Sequence, residues 1–138
     1  MPGVNSASLT IATATSTWLT FDSEFDDTDT IHSTVTNNGR LTCQTAGYYL
    51  VIGSIRWDSN NAGQRQLFIT KNAGRSVIAV QHGRASVAAS AWNQNVSILN
   101  WLNAGDYVEL GCYQDSGGNL DVTAAAYWSP YFMMIKML

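Results

Sequence analysis

The chain has 138 residues, of which 46% are hydrophobic and 12% charged, with a net charge of -3. That is enough chain for one domain with a sizeable core and too little charge for a disordered one. It also excludes the basic footprint that nucleic-acid binding requires, and no apolar run is long enough to span a bilayer as a helix.

Residues 1–16, "MPGVNSASLTIATATS", are rich in Ser, Thr and Ala and show no strong amphipathic pattern. They are expected to form an extended or flexible arm that orders against a partner, ahead of a domain over 17–138. The stretch has neither a basic n-region nor an uninterrupted apolar core, so no secretory signal is read from it, and synthesis in the cytoplasm is expected. Next comes an acidic stretch. Residues 1–39 hold Asp22, Glu24, Asp26, Asp27 and Asp29 and no Lys or Arg, whereas residues 40–138 carry +2. Such an acidic edge, facing a mildly basic body, suits head-to-side packing of identical subunits. Its carboxylates are dense enough for a hard cation such as calcium, but the Gly and distal Glu of an EF-hand loop are missing. The expectation is a solvated acidic loop and no cofactor.

From there on, short apolar or alternating runs are separated by Gly, Asn and Asp, and nothing shows sustained helical periodicity. Strands are predicted over Trp18 to Phe21, Arg40 to Gln44, Tyr48 to Asp58, Arg65 to Lys71, Ser76 to Gln81, Val87 to Leu102, Asp106 to Gln114, Leu120 to Trp128 and Tyr131 to Leu138. The breaks "NNG", "SNNAG", "NAG", "NAGD" and "DSGGN" are turn chemistry. The fold class is all-β, an antiparallel two-sheet sandwich with a jelly roll ahead of an immunoglobulin-like arrangement. Cys43 and Cys112 each sit in an apolar alternation and read as buried thiols.

Two strands break the usual alternation. In "GYYLVIGSIRW", Tyr48, Leu50 and Ile52 lie on one face and Tyr49, Val51, Ile55 and Trp57 on the other. In "YFMMIKML", Phe132, Met134 and Leu138 oppose Met133, Ile135 and Met137. A sandwich strand needs one apolar face for its core, so the second must meet another subunit, a third layer or a ligand.

The stretches "GRLTCQTAGYYLVIGSIRW", "LFITKNAGRSV", "LNAGDYVEL" and "YWSPYFMMIKML", in that order, resemble the complement component 1q and tumour necrosis factor-like jelly roll over about residues 16–138. The resemblance implies a ten-stranded sandwich that assembles as a tight homotrimer, with the central and terminal strands lining the threefold axis. It makes Tyr48, Tyr49, Leu50, Tyr131, Phe132 and Met134 interface residues, without fixing which member of each neighbouring pair faces the axis. The wording "WDSNNAGQRQLFITKNAG" and "GDYVELGCYQDSGG" is similar to versions in bacteriophage virion proteins. A free-standing copy of that kind implies a non-enzymatic capsid cement or decoration protein at the capsid surface, with the major capsid protein as partner. The arm and Asp22 to Asp29 would then dock. The alternative is a tail- or fibre-tip module that binds a host glycan or surface protein through loops 58–63 and 115–119.

No catalytic residues are expected, because His32 and His82 stand 50 residues apart with no nucleophile or metal motif. Trp57, Trp92, Trp101 and Trp128 could stack on sugars, although strand tryptophans are more often core or interface.

Overall fold

The computed structural model describes residues 2–85, 90–125 and 130–138. The described residues contain β-strands and no helix. Val87 and Trp128, both expected in strands, lie outside the described residues.

Twelve strands follow in chain order: β1 Pro2–Val4, β2 Leu9–Ile11, β3 Thr17–Trp18, β4 Ser23–Glu24, β5 Arg40–Thr42 and β6 Gly47–Trp57, then β7 Gln64–Lys71, β8 Ser76–Arg84, β9 Trp92–Leu102, β10 Tyr107–Gln114, β11 Leu120–Val122 and β12 Tyr131–Lys136. They form two antiparallel sheets. In the longer sheet β6 is central, with β9 on one side and β11 and β12 end to end on the other. β2 extends the sheet beyond β11, and β1 then β4 extend it beyond β12. In the shorter sheet β10 is central, flanked by β7 and β8 on one side and by β3 and β5 on the other.

Within the stretch expected to form an arm, β1 and β2 are paired into the longer sheet. β1 pairs with β12, placing Val4 opposite Tyr131, and β2 pairs with β11, placing Ile11 opposite Leu120. Ile11 is fully buried. The physical reason is that strands of two or three residues carry no readable period. Their place is set by hydrogen bonds to partners more than 100 residues away.

The core lies between the sheets. β6 buries alternate residues over its whole length, Gly47, Tyr49, Val51, Gly53, Ile55 and Trp57. From the facing sheet come Val108, Leu110 and Cys112 of β10 and Leu67 and Ile69 of β7, each essentially inaccessible. Cys43 and Cys112 are both buried in this core, and burial pushes the Cys112 thiol up to about 12. Trp57 brings a polar atom inward that must be satisfied. Its indole Nε1 donates to Gln94 Oε1 at 2.9 Å, and the Gln94 amide donates to the Gln81 carbonyl at 2.8 Å.

Gly53 interrupts an otherwise bulky strand for a steric reason. A Cβ there would overlap Leu110 Cδ1, so the absence of a side chain lets the facing sheet come close at this point. At the end of the shorter sheet, two turns clasp. Asn72 takes a positive φ of 59° in the β7–β8 turn and donates from Nδ2 to Asp106 Oδ1 at 2.8 Å, while its Oδ1 accepts from the Tyr107 amide at 3.0 Å. Lys71 Nζ lies 2.8 Å from Asp106 Oδ2, which also accepts from the Asn103 amide at 2.9 Å. These bonds explain why a Lys-Asn turn and a Gly-Asp turn occur in one chain: each completes the other.

Two outcomes follow from this packing. Gly53→Ala should destabilise the fold by about 1–3 kcal/mol through overpacking against Leu110, as read by chemical denaturation. The hydrogen bond and charge of Lys71, with Asn72 and the Asn103 amide, hold the Asp106 carboxyl at about 2, below its ordinary 3.8. A depressed acid stabilises the fold above its unfolded value, and that contribution is lost as pH falls through the folded one. Asp106→Asn should therefore cost on the order of 1–2 kcal/mol above about pH 4, with the difference from wild type vanishing as pH approaches 2.

Candidate functional site

β6 presents Tyr48, Leu50, Ile52, Ser54 and Arg56 on the side away from the core. The register aligns these residues with their neighbours in rows across the sheet. Leu50 lies between Leu99 of β9 and Ile135 of β12, Ile52 between Ser97 and Met133, and Ser54 between Asn95 and Tyr131. Tyr48 faces Trp101, and the rings meet edge to face at 5.2 Å. Met137 closes the same end, with its amide donating to the Tyr48 carbonyl at 2.8 Å.

The result is one apolar surface made of Tyr48, Leu50, Ile52, Leu99, Trp101, Met133, Ile135 and Met137. It grades into a polar end at Ser54, Asn95, Asn93 and Arg56. Leu99 is 56% exposed, Tyr48 54% and Trp101 47%. Large apolar side chains in contiguous rows, left open on a sheet whose other side is a complete core, mark a surface to be covered.

Of the six interface residues implied by resemblance, Tyr48 and Leu50 stand on this surface, and Tyr131 lies at its polar end opposite Ser54. Tyr49, Phe132 and Met134 do not. They are 2%, 0% and 1% exposed and belong to the chain's own core. Phe132 stacks on Phe21 at 5.9 Å, and the Tyr49 hydroxyl donates to the Thr45 carbonyl at 2.6 Å, with burial pushing that phenol up to about 12. In a strand apolar on both faces, alternation alone cannot say which face turns inward. Ile52, Leu99, Trp101, Met133, Ile135 and Met137 complete the surface. Trp101 is one of the strand tryptophans for which core, interface and sugar stacking are all open in the sequence, and no signal there singles out Leu99.

The acidic segment is largely used within the fold. Asp22 accepts from the Ser6 amide at 2.9 Å and from the Ser6 hydroxyl, bonds that lower its carboxyl below the ordinary range. Asp27 accepts from the amides of Ile31 and His32 at 2.9 and 3.0 Å. Glu24 lies 3.0 Å from His32 Nδ1, and the other ring nitrogen lies 3.0 Å from the Asn38 carbonyl. Asp26 and Asp29 line a cavity of about 330 Å³ with Lys136 and Ile135. Among the described residues, no three His, Cys, Asp or Glu side chains gather as metal ligands. Phe25, 79% exposed, stands among these carboxylates.

His32 is thus a buried brace for the excursion between β3 and β5, while His82 lies on the far sheet. Trp57 is core, Trp92 packs against the core, and Trp128 lies outside the described residues. Loops 58–63 and 115–119 do come together. Asp115 Oδ1 accepts from the Gln64 amide at 2.6 Å, and the Arg65 guanidinium donates to the Ala62 carbonyl at 2.9 Å and to Asn60 Oδ1 at 3.3 Å.

No family model matches the chain. Uncharacterized protein L688 of Acanthamoeba polyphaga mimivirus is 32% identical over 89 residues, which are 62% of this chain and 38% of that protein. The chain therefore spans well under half the length of that relative. Among solved structures, the Eiger TNF of S. frugiperda superposes with a TM-score of 0.60 at 18% identity, covering 99% of this chain and 88% of that one. The globular domain of zebrafish complement 1qA gives 0.61 at 13% identity, covering 96% and 98%. The two antiparallel sheets and these two neighbours together make the fold a jelly-roll sandwich of the complement 1q and tumour necrosis factor type.

Proposed function

We propose that this chain is a non-enzymatic structural subunit of a virus particle, a homotrimer that binds the capsid lattice as a cement protein. The observation that carries the reading is the apolar outward face of the longer sheet. Five of its eight large side chains, Tyr48, Leu99, Trp101, Ile135 and Met137, are roughly half exposed, and covering these five offers about 1 kcal/mol each, on the order of 5 per subunit. That is comparable with the roughly 4–15 kcal/mol that association costs, so a second and third copy are matched occupants for it. The face grades from apolar to polar along one direction, as expected of a surface that meets its own copies around an axis and opens to water at one end. The fold neighbours support a trimer, because complement 1q and tumour necrosis factor domains commonly form homotrimers.

The likeness to a mimivirus protein supports a viral setting and does not single out bacteriophage. In the cement reading, a rigid trimer meets several coat subunits at once, so modest affinity per contact becomes high avidity for the assembled shell. With residues 2–4 and 9–11 held in the sheet, docking onto the major capsid protein falls to the segment of Asp22, Glu24, Asp26, Asp27 and Asp29, with Phe25 at its surface. A second reading, a recognition module at a tail or fibre tip, draws on the convergence of loops 58–63 and 115–119 at one end of the sandwich.

Leu99→Asp should leave the monomer fold intact, since the side chain is outside the core, and should raise the dissociation constant of the assembly roughly tenfold or more. Sedimentation velocity reads this directly, and an unchanged assembly would remove the face from the interface. Imaging of purified particles then separates the two readings. Density repeated over the whole shell supports the cement protein, and density confined to a tail or fibre tip contradicts it.

A further inference from the structure

Covering the longer sheet leaves the outward face of the shorter one open, and that face is built around a groove. The registers place Trp18, Gly111, Phe68 and Val80 in one row across β3, β10, β7 and β8. Gly111 leaves a gap into which the Phe68 ring lies down, since a Cβ there would overlap that ring. Trp18 meets Phe68 edge to face at 5.8 Å.

Three depressions run along this face. One of about 390 Å³ lies between Trp18, Phe68, Val77, Val80 and His82. The next, about 270 Å³, is bounded by Trp18, Arg75, Glu109, Arg40 and Asn38. The third, about 330 Å³, lies among Arg40, Tyr107, Ser33, Thr36 and Gln44. Neighbours share walls: Trp18 and Arg75 divide the first from the second, and Arg40 and Asn37 divide the second from the third.

The two dividing arginines are held in the same way. The Arg75 guanidinium sits 3.8 Å from the Trp18 ring centroid, and its Nε lies 3.5 Å from Glu109 Oε2. The Arg40 guanidinium sits 4.0 Å from the Tyr107 centroid, and its Nε lies 3.7 Å from Glu109 Oε1. Glu109, only 7% exposed, thus pins one guanidinium with each oxygen. Planar donors fixed by an ion pair and a ring lose little further freedom when their remaining N–H groups take a ligand. Two arginines against one carboxylate leave the centre of the groove at +1 in a chain that carries -3.

The strands under the groove hydrogen-bond to one another, so an extended peptide is offered no free backbone there. What is offered is hydroxyl, amide and guanidinium groups alternating with ring and aliphatic patches. That alternation suits a chain of rings, each with hydroxyl edges and apolar C–H faces, and the positive centre suits a carboxylate on one of them. We propose that this groove binds a linear oligosaccharide of about three rings that carries a carboxylated sugar, with the carboxylate at the Arg40–Arg75 centre. The site lies on the sheet opposite the proposed trimer face and does not depend on that assembly.

The test is an NMR titration of the full chain, reading the Trp18 indole N–H, with sialyllactose and a hyaluronan tetrasaccharide as acidic probes, maltotriose as a neutral one and an acidic peptide as a competitor class. The expected result is a saturable shift with an acidic saccharide. Arg75→Gln and Arg40→Gln should each weaken it roughly tenfold while far-UV circular dichroism shows the fold retained, whereas Leu99→Asp leaves the shift unaltered. Absence of a shift with both acidic saccharides in the wild type, retention of full affinity in both arginine variants, or binding of the peptide in their place would each overturn the proposal.

Discussion

The structure depends on the strand "GYYLVIGSIRW" being apolar on both sides. Its odd-numbered residues close the sandwich against β10 and β7, and its even-numbered residues Tyr48, Leu50 and Ile52 remain outside. Water is a poor neighbour for either set, so a strand of this composition at the centre of a sheet leaves the fold with one satisfied face and one awaiting a partner. The two long neighbouring strands follow suit. β9 adds Leu99 and Trp101 to the open side, β12 adds Met133 and Ile135, and the registers align them with β6 row by row. A monomer that had no use for this surface could put polar side chains at those positions at little cost to its core.

The rest of the molecule holds that strand in register. Gly53 lets the facing sheet come close, the Trp57–Gln94 bond satisfies the polar atom at one end, and the clasped Asn72 and Asp106 turns fix the far sheet over the other. The long excursion between β3 and β5 is braced from inside by His32 and its bonds to Glu24 and Asn38. The carboxylates thereby serve local structure before they serve any partner. The two sheets end up with different outward faces: greasy on the longer one, grooved and hydrogen-bonding on the shorter one. Such a division lets one domain join its own copies on one side and meet a different kind of molecule on the other.

The long strands were legible because their alternation spans six or more residues and turn residues bound them: β6, β7 and β10 differ from expectation by a residue at most ends. The short ones, β1, β2 and β4, were not, since two or three residues are too few to carry a period and their place is decided by pairing partners elsewhere in the chain. The direction of β6 was written in its polar residues. Ser54 and Arg56 share parity with Tyr48 and Leu50, and Gly53 shares parity with Tyr49, which together turn Tyr49 inward. In β12 the corresponding hint misleads, because Lys136 shares parity with Phe132 and Met134 yet sits at the strand end, where it reaches water while they are buried. The groove could not have been read at all. Trp18, Arg40, Arg75 and Glu109 come from four separate places in the chain, and only the sheet brings them together.

The central claim, that sister copies cover the open face of the longer sheet, is tested most directly by the mass of the wild-type protein in solution. Sedimentation equilibrium at low micromolar concentration should return about 45 kDa, three copies of the 15.0 kDa chain. A single species of 15.0 kDa, with Tyr48 and Trp101 open to solvent quenchers, would contradict the account.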